Sequence, residues 1–159
     1  MNLKYTFEKL WRIHYYLKDG EPIWHRDDGP ALEYFDGGVQ YWIHGKLHRE
    51  DGPAIITADG LLEWYKNGEI HRDDGPAFED PKVGLKMWYR NGILHRENGP
   101  AIERSDNVEE WFFNGKLHRL DGPASSDGEG NQEWHVDGHR IYCENNEEFL
   151  RLVKLRLFW

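Results

Sequence analysis

The string His-Arg-x-Asp/Asn-Gly-Pro-Ala occurs five times in this chain, at His25–Ala31, His48–Ala54, His71–Ala77, His95–Ala101 and His118–Ala124, and successive histidines are 23, 23, 24 and 23 residues apart. No other feature constrains the fold as strongly. A repeat this short is one supersecondary unit, too small to bury its own apolar face, and it must stack on its neighbours. Three residues before each later histidine stands a glycine (Gly45, Gly68, Gly92, Gly115). Gly20 takes that place in the first copy, with two extra residues before His25. Four residues before these glycines stand Tyr16, Tyr41, Trp64, Trp88 and Trp111, and the pattern returns without its tail at Trp134-His135-Val136-Asp137-Gly138.

Each copy reads as short strands and tight turns. Leu61-Leu62-Glu63-Trp64-Tyr65-Lys66 is rich in aliphatic and aromatic residues and ends at Asn67-Gly68, a strong turn signal. Ala54-Ile55-Ile56-Thr57, Ala77-Phe78-Glu79 and Ala101-Ile102-Glu103 read as strands that follow a proline, which is best placed at a strand start. Turn residues such as Ala58-Asp59-Gly60 close each of them. Two antiparallel strands per unit, joined by a loop of the form NG-x-x-HR-x-DG, are therefore expected. With strands about 4.8 Å apart, each unit advances the sheet by roughly 10 Å.

The fold expected is all-β: a single-layer, twisted antiparallel sheet of stacked β-hairpins. Residues 1–19 form an N-terminal cap or partial repeat, 20–142 the repeats, and 143–159 a C-terminal cap. Asn145-Asn146-Glu147-Glu148 reads as a helix N-cap and acidic first turn, and Phe149, Leu150, Leu152, Val153, Leu155, Leu157, Phe158 and Trp159 supply its apolar face over 146–159, with the alternation Leu155-Arg156-Leu157 leaving a strand open there. Residues 4–17 supply the opening strand or hairpin.

Trp64-Tyr65-Lys66-Asn67-Gly68-Glu69-Ile70-His71 resembles the core of a MORN repeat, as do Trp88 to His95 and Trp111 to His118. The similarity covers about residues 15–142. It departs after the histidine, where Arg-x-Asp-Gly-Pro-Ala replaces Gly-x-Gly. The chain also looks like MORN-type arrays in bacterial antitoxin candidates and in phage and giant-virus proteins. That resemblance implies a hairpin stack and a binding role: an inhibitor of a host or defence protein, or an antitoxin-like immunity protein. The alternative it implies is a scaffold associating with membranes or anionic lipid.

Charge and cysteine content narrow the classes. The net charge of −9 disfavours affinity for a phosphate backbone, so no nucleic acid is expected as a partner. Cys143 is the one cysteine, which excludes a disulfide-stapled fold. The N-terminal residues lack an apolar signal-peptide core, and no stretch approaches the roughly 18 apolar residues of a membrane span, so a cytoplasmic location is expected (host cytoplasm if viral) and membrane insertion is not.

The His-Arg-Asp string invites a catalytic or metal reading, but one position repeated five times serves every unit equally, whereas an active site needs one asymmetric constellation. His25, His48, His71, His95 and His118, with Arg26, Arg49, Arg72, Arg96 and Arg119, are accordingly read as structural. Arg26–Asp28, Arg49–Asp51 and Arg72–Asp74 pairs would brace their own loops, and the histidines would donate to carbonyls of the same loop. No enzyme, cofactor or metal site is expected, and Cys143 reads as inert.

Strand alternation places the row Tyr16, Tyr41, Trp64, Trp88, Trp111, Trp134 on one face and its neighbours on the other. The first row, with Leu47, Ile70, Leu94 and Leu117, is assigned to packing. The second row, Leu17, Trp42, Tyr65, Tyr89, Phe112 and His135, is bordered by Gln40, Glu63, Met87, Glu110 and Glu133. An aromatic stripe with an acidic border is the expected contact surface for a partner protein. End-to-end or edge stacking into homo-oligomers is open to such a sheet.

Overall fold

The computed structural model describes residues 10–156. Twelve strands form one open antiparallel sheet. In spatial order they are Leu10–Ile13, Leu32–Tyr34, Val39–Gln40, Ile55–Ile56, Leu62–Glu63, Phe78–Asp80, Leu85–Met87, Ile102–Glu103, Val108–Glu110, Ser125–Asp127, Gln132–Val136 and His139–Ile141. The order follows the chain throughout, as stacked repeats require.

A second set of strands lies outside this sheet. Tyr15–Lys18 with Glu21–Trp24, Trp42–Ile43 with Lys46–Leu47, Tyr65–Lys66 with Glu69–Ile70, Tyr89–Arg90 with Ile93–Leu94, and Phe112–Phe113 with Lys116–Leu117 form five small hairpins. The segment expected as a single loop is thus itself half hairpin. Its turn shows why: Asn67 (φ 54°) and Gly68 (φ 91°) both lie in the left-handed region, the type I′ geometry that matches strand twist.

The repeated aromatic residue is the hinge between the two sets. Trp64 donates its N–H to the Ala77 carbonyl of the next unit (2.8 Å), while its own carbonyl accepts from His71 N–H of its own hairpin (2.9 Å). Tyr41, Trp88 and Trp111 repeat both bonds. Neighbouring hairpins are joined in turn: Gly68 N–H donates to Leu47 O (2.8 Å) and Arg49 N–H to Tyr65 O (3.2 Å).

In the first unit the hinge bonds belong to His14, which donates to Ala31 O and accepts from His25 N–H. Tyr16 was expected in that row, yet it sits inside a hairpin with four residues per strand, two more than the later hairpins have. Spacing from Gly20 cannot reveal this, because the insertion lengthens both strands equally.

Among the described residues the buried apolar side chains are few: Ala31, Ala54, Ala77, Ala101 and Ala124, each at 0% exposure, with Leu32, Phe149 and Val153. A thin sheet leaves room at the junction of the two strand sets for nothing larger than a methyl group. The helix Asn146–Arg156 covers the last units, and its Phe149 ring lies 6.5 Å from that of Trp134. Asn145 Oδ1 caps it by accepting from Glu148 N–H (3.0 Å), while the Glu148 carboxylate reaches back past the cap to accept from Glu144 N–H (2.9 Å), close to a capping box. Of the helix expected over 146–159, residues 157–159 lie outside the described residues, as do residues 1–9 of the expected N-terminal cap.

Candidate binding face

The recurrent residues of the string have distinct geometric tasks. The Arg72 guanidinium lies over the Trp64 ring, 4.2 Å from its centroid, and the same stacking joins Arg49 to Tyr41, Arg96 to Trp88 and Arg119 to Trp111. Arg72 also donates to Asp74 (2.8 Å), the Pro76 carbonyl (3.2 Å) and Glu79 (3.2 Å). A β-carbon on Gly75 would stand 2.8 Å from Arg72 Cζ, so only glycine admits the guanidinium. The expected Arg–Asp pairs are present at Asp28, Asp51 and Asp74, and also at Asp121 (2.6 Å).

The histidines behave differently from the expectation. Their Nδ1 atoms accept from backbone N–H groups of the next unit: His25 from His44 (3.2 Å), and His48, His71, His95 and His118 from Asn67, Asn91, Asn114 and Asp137 (3.1 Å each). Acceptance at Nδ1 leaves the ring proton on Nε2, which faces Glu50 at 3.1 Å and Asp73 at 3.2 Å in the second and third units. The histidine therefore registers one unit against the next. Local sequence could not distinguish the two roles, because the acceptor's partner lies about twenty residues on.

These pairings set an acid limit on the fold. Hydrogen bonds from Arg26, Arg49 and Arg72 hold Asp28, Asp51 and Asp74 below the usual carboxylate value, and Thr57 with Lys82 draws Asp59 down to about 2. A depressed folded-state value stabilises the fold above the ordinary carboxylate range and loses that contribution as pH falls through the depressed value. The melting temperature is expected to hold down to about pH 4 and to fall from there toward about pH 2. Thermal melts followed by circular dichroism across that range check it; an unchanged midpoint would remove the carboxylates from the account.

The structure brings the proposed aromatic and acidic rows together on one face. Trp42 Nε1–H donates to Gln40 (2.9 Å), Tyr65 O–H to Glu63 (2.8 Å), and His135 Nε2 lies 3.0 Å from Glu133. Burial, with Glu63 behind it, raises the Tyr65 phenol to about 12, and burial and the Glu63 charge raise Tyr89, so both remain neutral donors. Tyr89 and Phe112 follow Met87 and Glu110 at the same two-residue spacing, and all of these side chains are half-buried.

Cross-strand register adds residues that the row pattern left out. Ile55 pairs with Gln40 and Glu63, Phe78 with Glu63 and Met87, Ile102 with Met87 and Glu110, and Ser125 with Glu110 and Glu133. Directly paired residues share a face, so these four alternate with the acidic border. Their one signal is their place immediately after the repeat alanine. Leu47, Ile70, Leu94 and Leu117 were assigned with the tryptophan row; they pair instead with Trp42, Tyr65, Tyr89 and Phe112 and belong to the same face as the stripe. In the first unit the stripe position falls to Tyr15, paired with Trp24, and not to Leu17.

Shallow grooves also run between successive His-Arg loops, one of them lined by Arg49, Asp51, Trp64, Tyr65, His71 and Arg72. Among the described residues no group of three or more His, Cys, Asp or Glu side chains is arranged to hold a metal ion. Burial pushes the Cys143 thiol up and the Glu148 charge adds to it, which keeps it a thiol and a poor nucleophile. No helix among the described residues is long and apolar enough to cross a membrane. Set against known proteins, the chain matches no protein-family model and no curated sequence.

Proposed function

We propose that this chain is a non-catalytic protein-binding module whose partner lies along the face of Trp42, Tyr65, Tyr89, Phe112 and His135. The observation that carries the reading is the continuity of that face: an apolar and aromatic band runs through five successive units, edged by Glu63, Glu110 and Glu133, with Tyr65 and His135 hydrogen-bonded to Glu63 and Glu133. A rigid row of half-buried aromatics offers contact area at low entropic cost, and the acidic edge selects a basic surround. The MORN-like repeat supports the same reading, and within it the role is that of an inhibitor of a host or defence protein or of an antitoxin-like immunity protein, acting in the cytoplasm.

Affinity capture from bacterial lysate, with partners identified by mass spectrometry, tests it. Tyr65→Ala and Tyr89→Ala are each expected to weaken capture at least about tenfold, the loss of one interface hot spot. Undiminished capture by both variants, with folding verified, would assign the partner to another surface.

A second reading rests on a different observation. Lys46, Lys66, Arg90 and Lys116, all exposed, stand one to a hairpin in four successive hairpins outside the main sheet, a cationic row on an otherwise acidic protein. Such a row favours association with anionic lipid. Co-sedimentation with vesicles containing anionic lipid, set against neutral vesicles, separates this from the protein-binding reading.

A further inference from the structure

The chain contains four Asn-Gly dipeptides, at Asn67, Asn91, Asn98 and Asn114. This dipeptide is the one most open to self-modification, because glycine carries no β-carbon to shield its backbone nitrogen from the preceding side chain. Three of the four are tied down. Gly68, Gly92 and Gly115 donate their N–H groups to Leu47, Ile70 and Leu94 carbonyls at 2.8, 2.9 and 2.9 Å. The asparagine N–H groups of the same turns are held by His48, His71 and His95. A nitrogen engaged in this way is poorly placed to attack a neighbouring amide.

Asn98-Gly99 lies instead in the fourth His-Arg loop. Among the described residues neither Gly99 N–H nor the Asn98 side-chain amide has a hydrogen-bond partner, and Asn98 is exposed. The other four loops carry aspartate at this position, each paired with its arginine at 2.6–2.8 Å. Those carboxylates are anions and resist nucleophilic attack; a neutral amide does not. Arg96, lacking the aspartate, uses Nη1 on the Pro100 carbonyl (2.8 Å) and on Glu103, and its Nε is without a partner among the described residues.

We infer that Asn98 is a self-modification site whose conversion to aspartate supplies the carboxylate missing from the fourth clamp. The Gly99 nitrogen attacks Asn98 Cγ, a C–N bond forms, and the Cγ–Nδ2 bond breaks. Ammonia leaves, taking up the proton lost from Gly99 nitrogen. Water then opens the cyclic imide, giving aspartate or its isomer with a lengthened backbone, with no change of oxidation state. Gly99 is buried under Arg96, but the attack is internal to the dipeptide, and water reaches the imide through the exposed Asn98 side. The aspartate product places a carboxylate where Arg26, Arg49, Arg72 and Arg119 already hold one. The inference is independent of the proposed binding face.

The full-length protein, incubated folded at mildly alkaline pH and mapped by peptide mass spectrometry, tests it. Amide loss at Asn98 is expected at least about tenfold faster than at Asn67, Asn91 or Asn114, the factor set by one retained hydrogen bond at each turn nitrogen. In denaturant all four sites are expected to react at comparable rates. Equal rates at the four sites in the folded protein overturn the inference. Asn98→Asp, made directly, is expected to melt higher than the parent; an unchanged or lower melting temperature overturns the claim that the modification completes the clamp.

Discussion

Replacing Ala77 by leucine is expected to destabilise the protein by about 2–3 kcal/mol, the upper part of the range for forcing extra methylenes into a filled site. For a chain of this size that is on the order of 5–10 °C in melting temperature. Ala77 is wholly buried, its N–H donates to Met87 O (2.9 Å), and its carbonyl accepts from Trp64 N–H (2.8 Å), so three strands converge on its β-carbon. A leucine can be accommodated only by parting the third unit from one neighbour. Because a stacked array is stabilised mainly between nearest neighbours, the variant is also expected to broaden the unfolding transition. Leucine at exposed Ala58, in a turn, is the control and should leave the midpoint unchanged. A transition for Ala77→Leu as sharp and as high as the parent's would show that the junction has slack.

Removing the Trp88 ring is expected to cost about 2–4 kcal/mol, somewhat below a fully buried Trp→Ala change because the ring is half-exposed. The ring centroid lies 3.8 Å from Arg96 Cζ, in the one repeated clamp where asparagine replaces aspartate. Besides the ring, Arg96 keeps the Pro100 carbonyl and Glu103 in place of the aspartate. Trp88→Phe keeps a face for the guanidinium and should restore most of the loss, whereas Trp88→Leu, apolar without a ring, should restore less. Chemical denaturation of the three variants decides between packing alone and packing with cation–π attraction. Equal behaviour of the Phe and Leu variants would leave only the packing contribution.

Much of this architecture was legible before any coordinate. The Asn-Gly turns, the prolines at strand starts and the Arg-x-Asp pairs are local: each partner stands within a few residues, and spacing alone brings them together. The capping helix was equally readable, since Asn145, Glu147 and Glu148 act within a single turn. The stripe itself was found because alternation puts Trp42 with Gln40 and Tyr65 with Glu63 whichever strands lie beside them.

What escaped the sequence involves partners in other strands. The histidine ring was given to its own loop because nothing near His48 announces that Asn67 N–H lies in reach. The aliphatic row Leu47, Ile70, Leu94, Leu117, read as packing along with the tryptophan row, joins the stripe's face because a strand's side chains change face with a shift of one residue, and that shift is fixed by pairing across the hairpin. His14 was hidden as the first hinge because an insertion shared by both strands of a hairpin preserves the turn but moves everything before it.

The amino-acid order thus determined the unit, its turns, its clamp residues and the number of times they recur, since these depend on backbone preference and contacts a few residues apart. The tertiary structure decided how each unit meets the next: which atom of the histidine is used, which residue bends the chain, and which side chains share the exposed band. Those depend on hydrogen-bond register between strands some twenty residues apart, and a register exists only once both strands are in place.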